Sequence, residues 1–203
     1  DNLTRLVLTN AIYFKANWLF PFDEANTAPG SFSLLDGSTT TVDMMFESAQ
    51  LSYYEVPGEY TAVQLPYQGV KRNSMIIILP DQGQYEAVEG SLSTDTLQQI
   101  IQGSGRFMVN LTMPKYSYEW EKSLVSTLYS LGMRDAFTDD ADFSGINGQR
   151  NLVITDVFHK SFIAVDEKGT EASAATAIIW SETSVPQVAD MTIDRPFIYF
   201  IYN

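Results

Sequence analysis

The sequence predicts an α+β fold with more strand than helix. Three observations carry that prediction. Runs of β-branched and aromatic residues between Gly, Pro, Asp and Ser punctuation recur along the 203 residues. Helical spacing of apolar residues holds in only two stretches. The order of elements does not alternate strand with helix, which argues against a doubly wound nucleotide-binding sheet.

Taken in order, residues 5–14 (RLVLTNAIYF) read as a buried strand. Residues 31–35, 40–45 and 50–56 follow as short strands, and residues 60–66 and 75–79 form a pair across the polar stretch QGVKRNS. The run MIIIL is continuously apolar, as suits a strand buried on both faces. Residues 95–102 place Leu97, Ile100 and Ile101 at helical spacing, with Ser93 or Thr94 as N-cap. Residues 107–113 alternate as a strand. Residues 121–131 put Leu124, Leu128 and Leu131 on one helical stripe that Gly132 stops. Residues 151–165 are a long strand of mixed burial, and residues 196–202 (PFIYFIY) a last one. Apolar strands need partners along their edges. A chain that opens and closes on such strands is expected to be a fragment of a longer one.

Composition removes much chemistry. There is no Cys, hence no disulfide, thiol nucleophile or Cys-ligated metal. A single His, His159, rules out a His-rich metal site. The net charge of −13 disfavours nucleic acid and anionic lipid as partners. No apolar run reaches the roughly 18 residues of a membrane span, and no cofactor is implied. The apolar fraction of 45% is that of a globular chain.

Several motifs read as ordinary structure. GSGR at residues 103–106 resembles the start of a dinucleotide fingerprint but lies after a helix and before a strand, the wrong order. Asp140, Asp142, Ser144 and Gly145 resemble half a calcium loop, yet Asn151 stands where the bidentate Glu belongs. Sequons begin at Asn2 and Asn110, both at or within strands. His159 has no GxSxG nucleophile to serve as the base of a hydrolase, and reads as a hydrogen-bonded core histidine.

The informative stretch is residues 167–186, EKGTEASAATAIIWSETSVP, a connection long enough to be functional. Read with period 2, Thr170, Ala172, Ala174, Thr176 and Ile178 share one face, with Glu171, Ser173, Ala175 and Ala177 opposite. Small residues on one face let a segment slide between existing strands at little steric cost. The same stretch can therefore exist as loop or as strand, which makes it bistable.

These residues resemble a known family, the serpins. EKGTEASAATA is similar to the family's reactive-centre hinge: Glu167, the glycine Gly169, Thr170 as first inserting residue, the small run Ala172, Ser173, Ala174, Ala175, and Thr176. LTNAIYFKANWLFPFD resembles a central-sheet strand with the shutter Asn10 and breach Trp18. MIIILP, MPKYSYEWEKSLVSTLYSLGM, ADFSGI, VFHKSFIAVDEKGTEA and DRPFIYFI resemble further family segments in unbroken order, and His159 falls on the shutter histidine.

The resemblance implies a β-rich fold with a large central sheet A, sheets B and C and few helices. It implies that residues 1–203 are the C-terminal portion of a single domain, without its N-terminal helices and last strand, and with residues 167–187 as hinge and reactive-centre loop. The family's scissile bond follows the residue sixteen positions after the hinge glutamate, which gives the bond between Thr183 and Ser184. The segment after that bond is about two residues longer than is familiar, so a slip would bring Glu182 into play. The implied activity is suicide inhibition of a serine protease, elastase-like or subtilisin-like from Thr183, by a monomer that is not an enzyme. The compartment is left open, with an extracellular or secreted location favoured over others. About ten new ladder hydrogen bonds would release on the order of 10 kcal/mol, comparable to the roughly 5–15 kcal/mol of a whole domain. A non-inhibitory carrier or chaperone is the alternative, and bulky or charged residues at Thr170, Ala172, Ala174 or Thr176 would mark it.

Overall fold

The computed structural model describes residues 4–69, 73–170 and 187–203. Its elements run β1 (Thr4–Tyr13), β2 (Ala16–Asn17), β3 (Ala28–Ser33), β4 (Thr39–Val56), β5 (Tyr60–Pro66) and β6 (Ser74–Pro80). Then come α1 (Tyr85–Ser91), α2 (Thr94–Gly103), β7 (Gly105–Pro114), β8 (Tyr116–Ser123), α3 (Val125–Ser130) and α4 (Ser144–Asn147). The last are β9 (Leu152–Asp166), β10 (Gly169–Thr170), β11 (Gln187–Thr192) and β12 (Ile198–Tyr202). The strand-rich α+β class is as the sequence predicts. The chain divides into two units, Asp1–Phe14 with Ser117–Ile163, and Lys15–Tyr116 with Ala164–Asn203.

The second unit holds a sheet in the order β11-β7-β4-β5-β6-β12, with β3 also paired to β4. The apolar run of β6 sits between β5 and β12, and Met75, Ile76, Ile77 and Ile78 are all buried. Alternation sends Ile76 and Ile78 to one face. There they join Tyr60, Ala62, Val88 of α1 and Ile100 of α2 in one cluster. Fully burying each such isoleucine stabilises the fold by about 1.5–3 kcal/mol. Ser93 caps α2 by accepting from the Thr96 amide at 3.1 Å.

Two strands expected at 40–45 and 50–56 are one. Between them Glu47 and Ser48 break the apolar pattern, but β7 runs alongside from Met44↔Pro114 to Tyr53↔Gly105 and keeps the chain extended. The strand expected at 31–35 ends at Ser33, where the tight turn begins with the Gly37 amide donating to the Leu34 carbonyl.

In the first unit, β1 pairs in parallel with β9 from Thr4↔Leu152 to Tyr13↔Phe162, and β8 also pairs with β9. The helix expected from residue 121 starts only at Val125, because residues 121–123 belong to β8. Tyr116, Tyr118 and Trp120 recur at the strand period, and pairing with β9 overrides the helical spacing of the leucines. The first strand is paired as predicted but not buried. Val7, Leu8 and Ile12 are 50%, 40% and 56% exposed, since the described residues lay nothing over those side chains.

Candidate functional site

At Asp166 the chain leaves β9 and reverses. The Asp166 Oδ1 accepts from the Lys168 amide at 2.9 Å and the Gly169 amide at 3.1 Å, the local turn that an Asp favours. The chain returns as β10, antiparallel to β9 with Gly169↔Asp166 and Thr170↔Val165. The other edge of β10 pairs with β2, Gly169↔Asn17 and Thr170↔Ala16. Two residues are therefore strand with a partner on each side.

Gly169 is demanded twice over. Its φ is +152°, a conformation L side chains rarely adopt. A Cβ there would lie 2.3 Å from the Ala16 carbonyl oxygen and 2.7 Å from the Asn17 Cα.

Trp18 closes the turn from the side. Its amide donates to the Lys168 carbonyl at 2.9 Å and its indole Nε1 to the Asp166 carbonyl at 3.0 Å. Its ring, buried, stacks on Tyr67 at 4.6 Å between centroids and 12° between planes. The Tyr67 hydroxyl lies 2.9 Å from the Thr170 Oγ1, and Thr170 is fully buried. Burial pushes the Tyr67 hydroxyl far above its ordinary pKa, so it stays protonated at all ordinary pH.

Glu167, at the tip of the turn, is 5% exposed. Its Oε2 accepts from the Lys115 Nζ at 2.8 Å and its Oε1 from the Thr27 hydroxyl at 2.9 Å. Its backbone carbonyl accepts from the Phe22 amide at 2.8 Å. Burial alone would raise the carboxyl pKa, but the hydrogen bonds from Lys115 and Thr27 outweigh it and leave the value below the ordinary one. The hydrogen bond to Glu167 correspondingly raises that of Lys115. Thr27 is delivered by the short turn Glu24–Asn26, whose Asp23 cap accepts from the Ala25 amide at 2.9 Å.

The structure thus gathers Glu167, Gly169, Thr170 and Trp18 within one unit. Tyr67, Lys115 and Thr27 belong to the same network and were not singled out by the sequence. Lys115 lies 52 and Tyr67 103 residues from its partner, beyond any local spacing rule. In the other unit, Asn10 and His159 are register partners on β1 and β9. His159 is half-buried rather than a core residue, and its ring lies T-shaped to that of Trp120, with 6.0 Å between centroids. Ala172, Ser173, Ala174, Ala175, Thr176, Thr183 and Ser184 lie outside the described residues.

The lesser motifs have structural uses. Asp142 accepts from the Ser144 amide and pairs with Arg150. The Asn110 side chain accepts from Ser48 and donates to Asp190, both at 2.7 Å, so the nitrogen a glycan would need ties β7 to β11. Asn2 lies outside the described residues.

Comparison with known proteins points one way. A family model described as serpin (serine protease inhibitor) matches residues 1–203. A serpin-like protein of Thermococcus kodakarensis is 43% identical over 204 residues, 99% of this chain and 47% of the relative. Human leukocyte elastase inhibitor is 37% identical over 210 residues, 99% of this chain and 55% of the relative. Among solved structures, human thyroxine-binding globulin complexed with its ligand superimposes with a TM-score of 0.82 at 32% identity, covering 96% of this chain and 51% of that one. A highly specific serpin of the insect Tenebrio molitor does so at 0.80 and 34%, covering 100% and 54%. The chain spans about half the length of the relatives it matches.

Proposed function

The chain belongs to the serpin family, and from that premise we propose that the whole protein inhibits a serine protease as a suicide substrate. The protease attacks the Thr183 carbonyl, forms an acyl-enzyme and releases the amine of Ser184. The segment beginning at Thr170 then continues β10 as a new strand, and the β1–β9 pairing gives way to admit it. On this reading residues 1–203 are part of one serpin domain, Glu167 to Thr176 form its hinge, Trp18 lies in the breach and Asn10 with His159 in the shutter.

The observation that carries the proposal is β10 itself. Gly169 and Thr170 already have strand partners on both sides, so insertion extends an existing ladder. Kinship with the leukocyte elastase inhibitors supports the same reading and is consistent with the modest side chain of Thr183. Thyroxine-binding globulin, complexed with thyroxine in its own structure, keeps a carrier function as the second reading.

The two separate in one experiment. The full-length protein, mixed with elastase-like and subtilisin-like proteases, should give an SDS-resistant complex. Thr170→Arg, a charge in a fully buried slot, should turn it into a substrate that is cut and released. Simple turnover of the wild type across the panel favours the carrier.

A further inference from the structure

We propose that Tyr67 is a positioning residue for loop insertion: its hydroxyl seats Thr170 in the sheet while the loop is still intact, so that the new strand grows from a formed end. The consequence for protease capture rests on the inhibitory reading above. The seating itself does not.

Starting a strand is the costly step, because residues are ordered before ladder bonds repay the lost freedom. Asp166, Glu167 and Gly169 shape the turn, yet none of them holds the side chain of Thr170. Tyr67 does, with its hydroxyl 2.9 Å from Oγ1. Its aim is fixed in advance. The ring stacks on Trp18, which is itself tied to the turn through Lys168 and Asp166. An antiparallel bridge joins the Trp18 and Tyr67 backbones, and the Tyr67 amide donates to the Asn73 carbonyl at 2.9 Å. Little rotamer freedom is left to lose when the bond to Thr170 forms. Both groups are buried, where water does not readily replace a lost hydrogen bond. Because the phenol stays protonated, the seat works alike across ordinary pH.

A bond of this kind shifts an equilibrium by about two- to tenfold. The test uses the full-length protein with Tyr67→Phe, Thr170→Val, both together, and Thr170→Ser, which keeps the hydroxyl. Hydrogen exchange in peptides covering residues 165–170 should quicken by about two- to tenfold in each single variant and no further in the double. Thr170→Ser should exchange like the wild type. With a susceptible protease, Tyr67→Phe should raise the moles of inhibitor consumed per mole of protease captured while the rate of first cleavage stays the same. Unchanged exchange in a folded Tyr67→Phe, or additive effects in the double variant, would overturn the seating even if the wild type forms its complex. Should Tyr67→Phe not fold, Thr170→Val against Thr170→Ser tests the same bond from its other side. If the wild type captures no protease, the inhibitory reading fails and exchange alone decides the seating.

Discussion

Glu167 has a carboxylate almost out of water whose charge is kept by Lys115 and Thr27. Lys115 is itself 45% exposed, so the pair is less than a fully buried ion pair. Lys115→Ala should cost about 1–3 kcal/mol at neutral pH, chiefly because it strips a buried carboxylate of its charged donor. The pH dependence follows from the direction of the shift. A carboxyl lowered in the fold stabilises above its unfolded pKa, about 4.3, and stops doing so as pH falls through the lowered value. Lys115, raised in the fold, stabilises below about 10.4 and loses this as pH climbs through its raised value. Thermal melts of wild type and Lys115→Ala should therefore differ most near pH 7 and converge as pH falls through the lowered Glu167 value. A gap that stays the same as pH falls from 7 through the lowered Glu167 value would mean that the Glu167 charge is not what Lys115 stabilises. Gly169→Ala asks for a Cβ where backbone already lies and should cost roughly 3 kcal/mol or more. A melt within about 1 °C of wild type would show that the turn is not as described.

Elements were legible where one periodicity ruled and contacts were local. The strand at 60–66, the apolar run of β6 and the capped helix α2 stand within a residue of where their patterns put them. Ile77, buried in β6, should lose about 2–5 kcal/mol on truncation to Ala, read from chemical denaturation. Legibility failed where a distant partner decided the outcome. Residues 121–123 have helical neighbours but belong to β8, which pairs with β9, and β4 is one strand because β7 holds it straight. A two-residue strand such as β10 has no periodicity at all. The stretch from residue 167 stood out by its length, its small residues and its period of two, and family resemblance added Glu167, Gly169 and Trp18 but not Tyr67, Thr27 or the role of Lys115. Their partners lie 52 to 140 residues away, and a hydrogen bond across such a distance leaves no mark in one sequence.

At the scale of the molecule, the sequence excludes more than it specifies. No thiol and a single histidine exclude disulfides, thiol nucleophiles and His-rich metal sites from these 203 residues. A protein whose proposed working part is a bond to be cut by another enzyme asks for none of them. What it requires instead is a sheet that accepts a new strand and a loop able to become one, and β10 is the point where the two meet. The most direct measurement is the intact mass of the complex formed by the full-length protein with a serine protease, taken after denaturation. Suicide inhibition predicts the protease joined by an ester to a chain ending at Thr183, with a free peptide beginning at Ser184. Unmodified protease beside two cleaved fragments would contradict it.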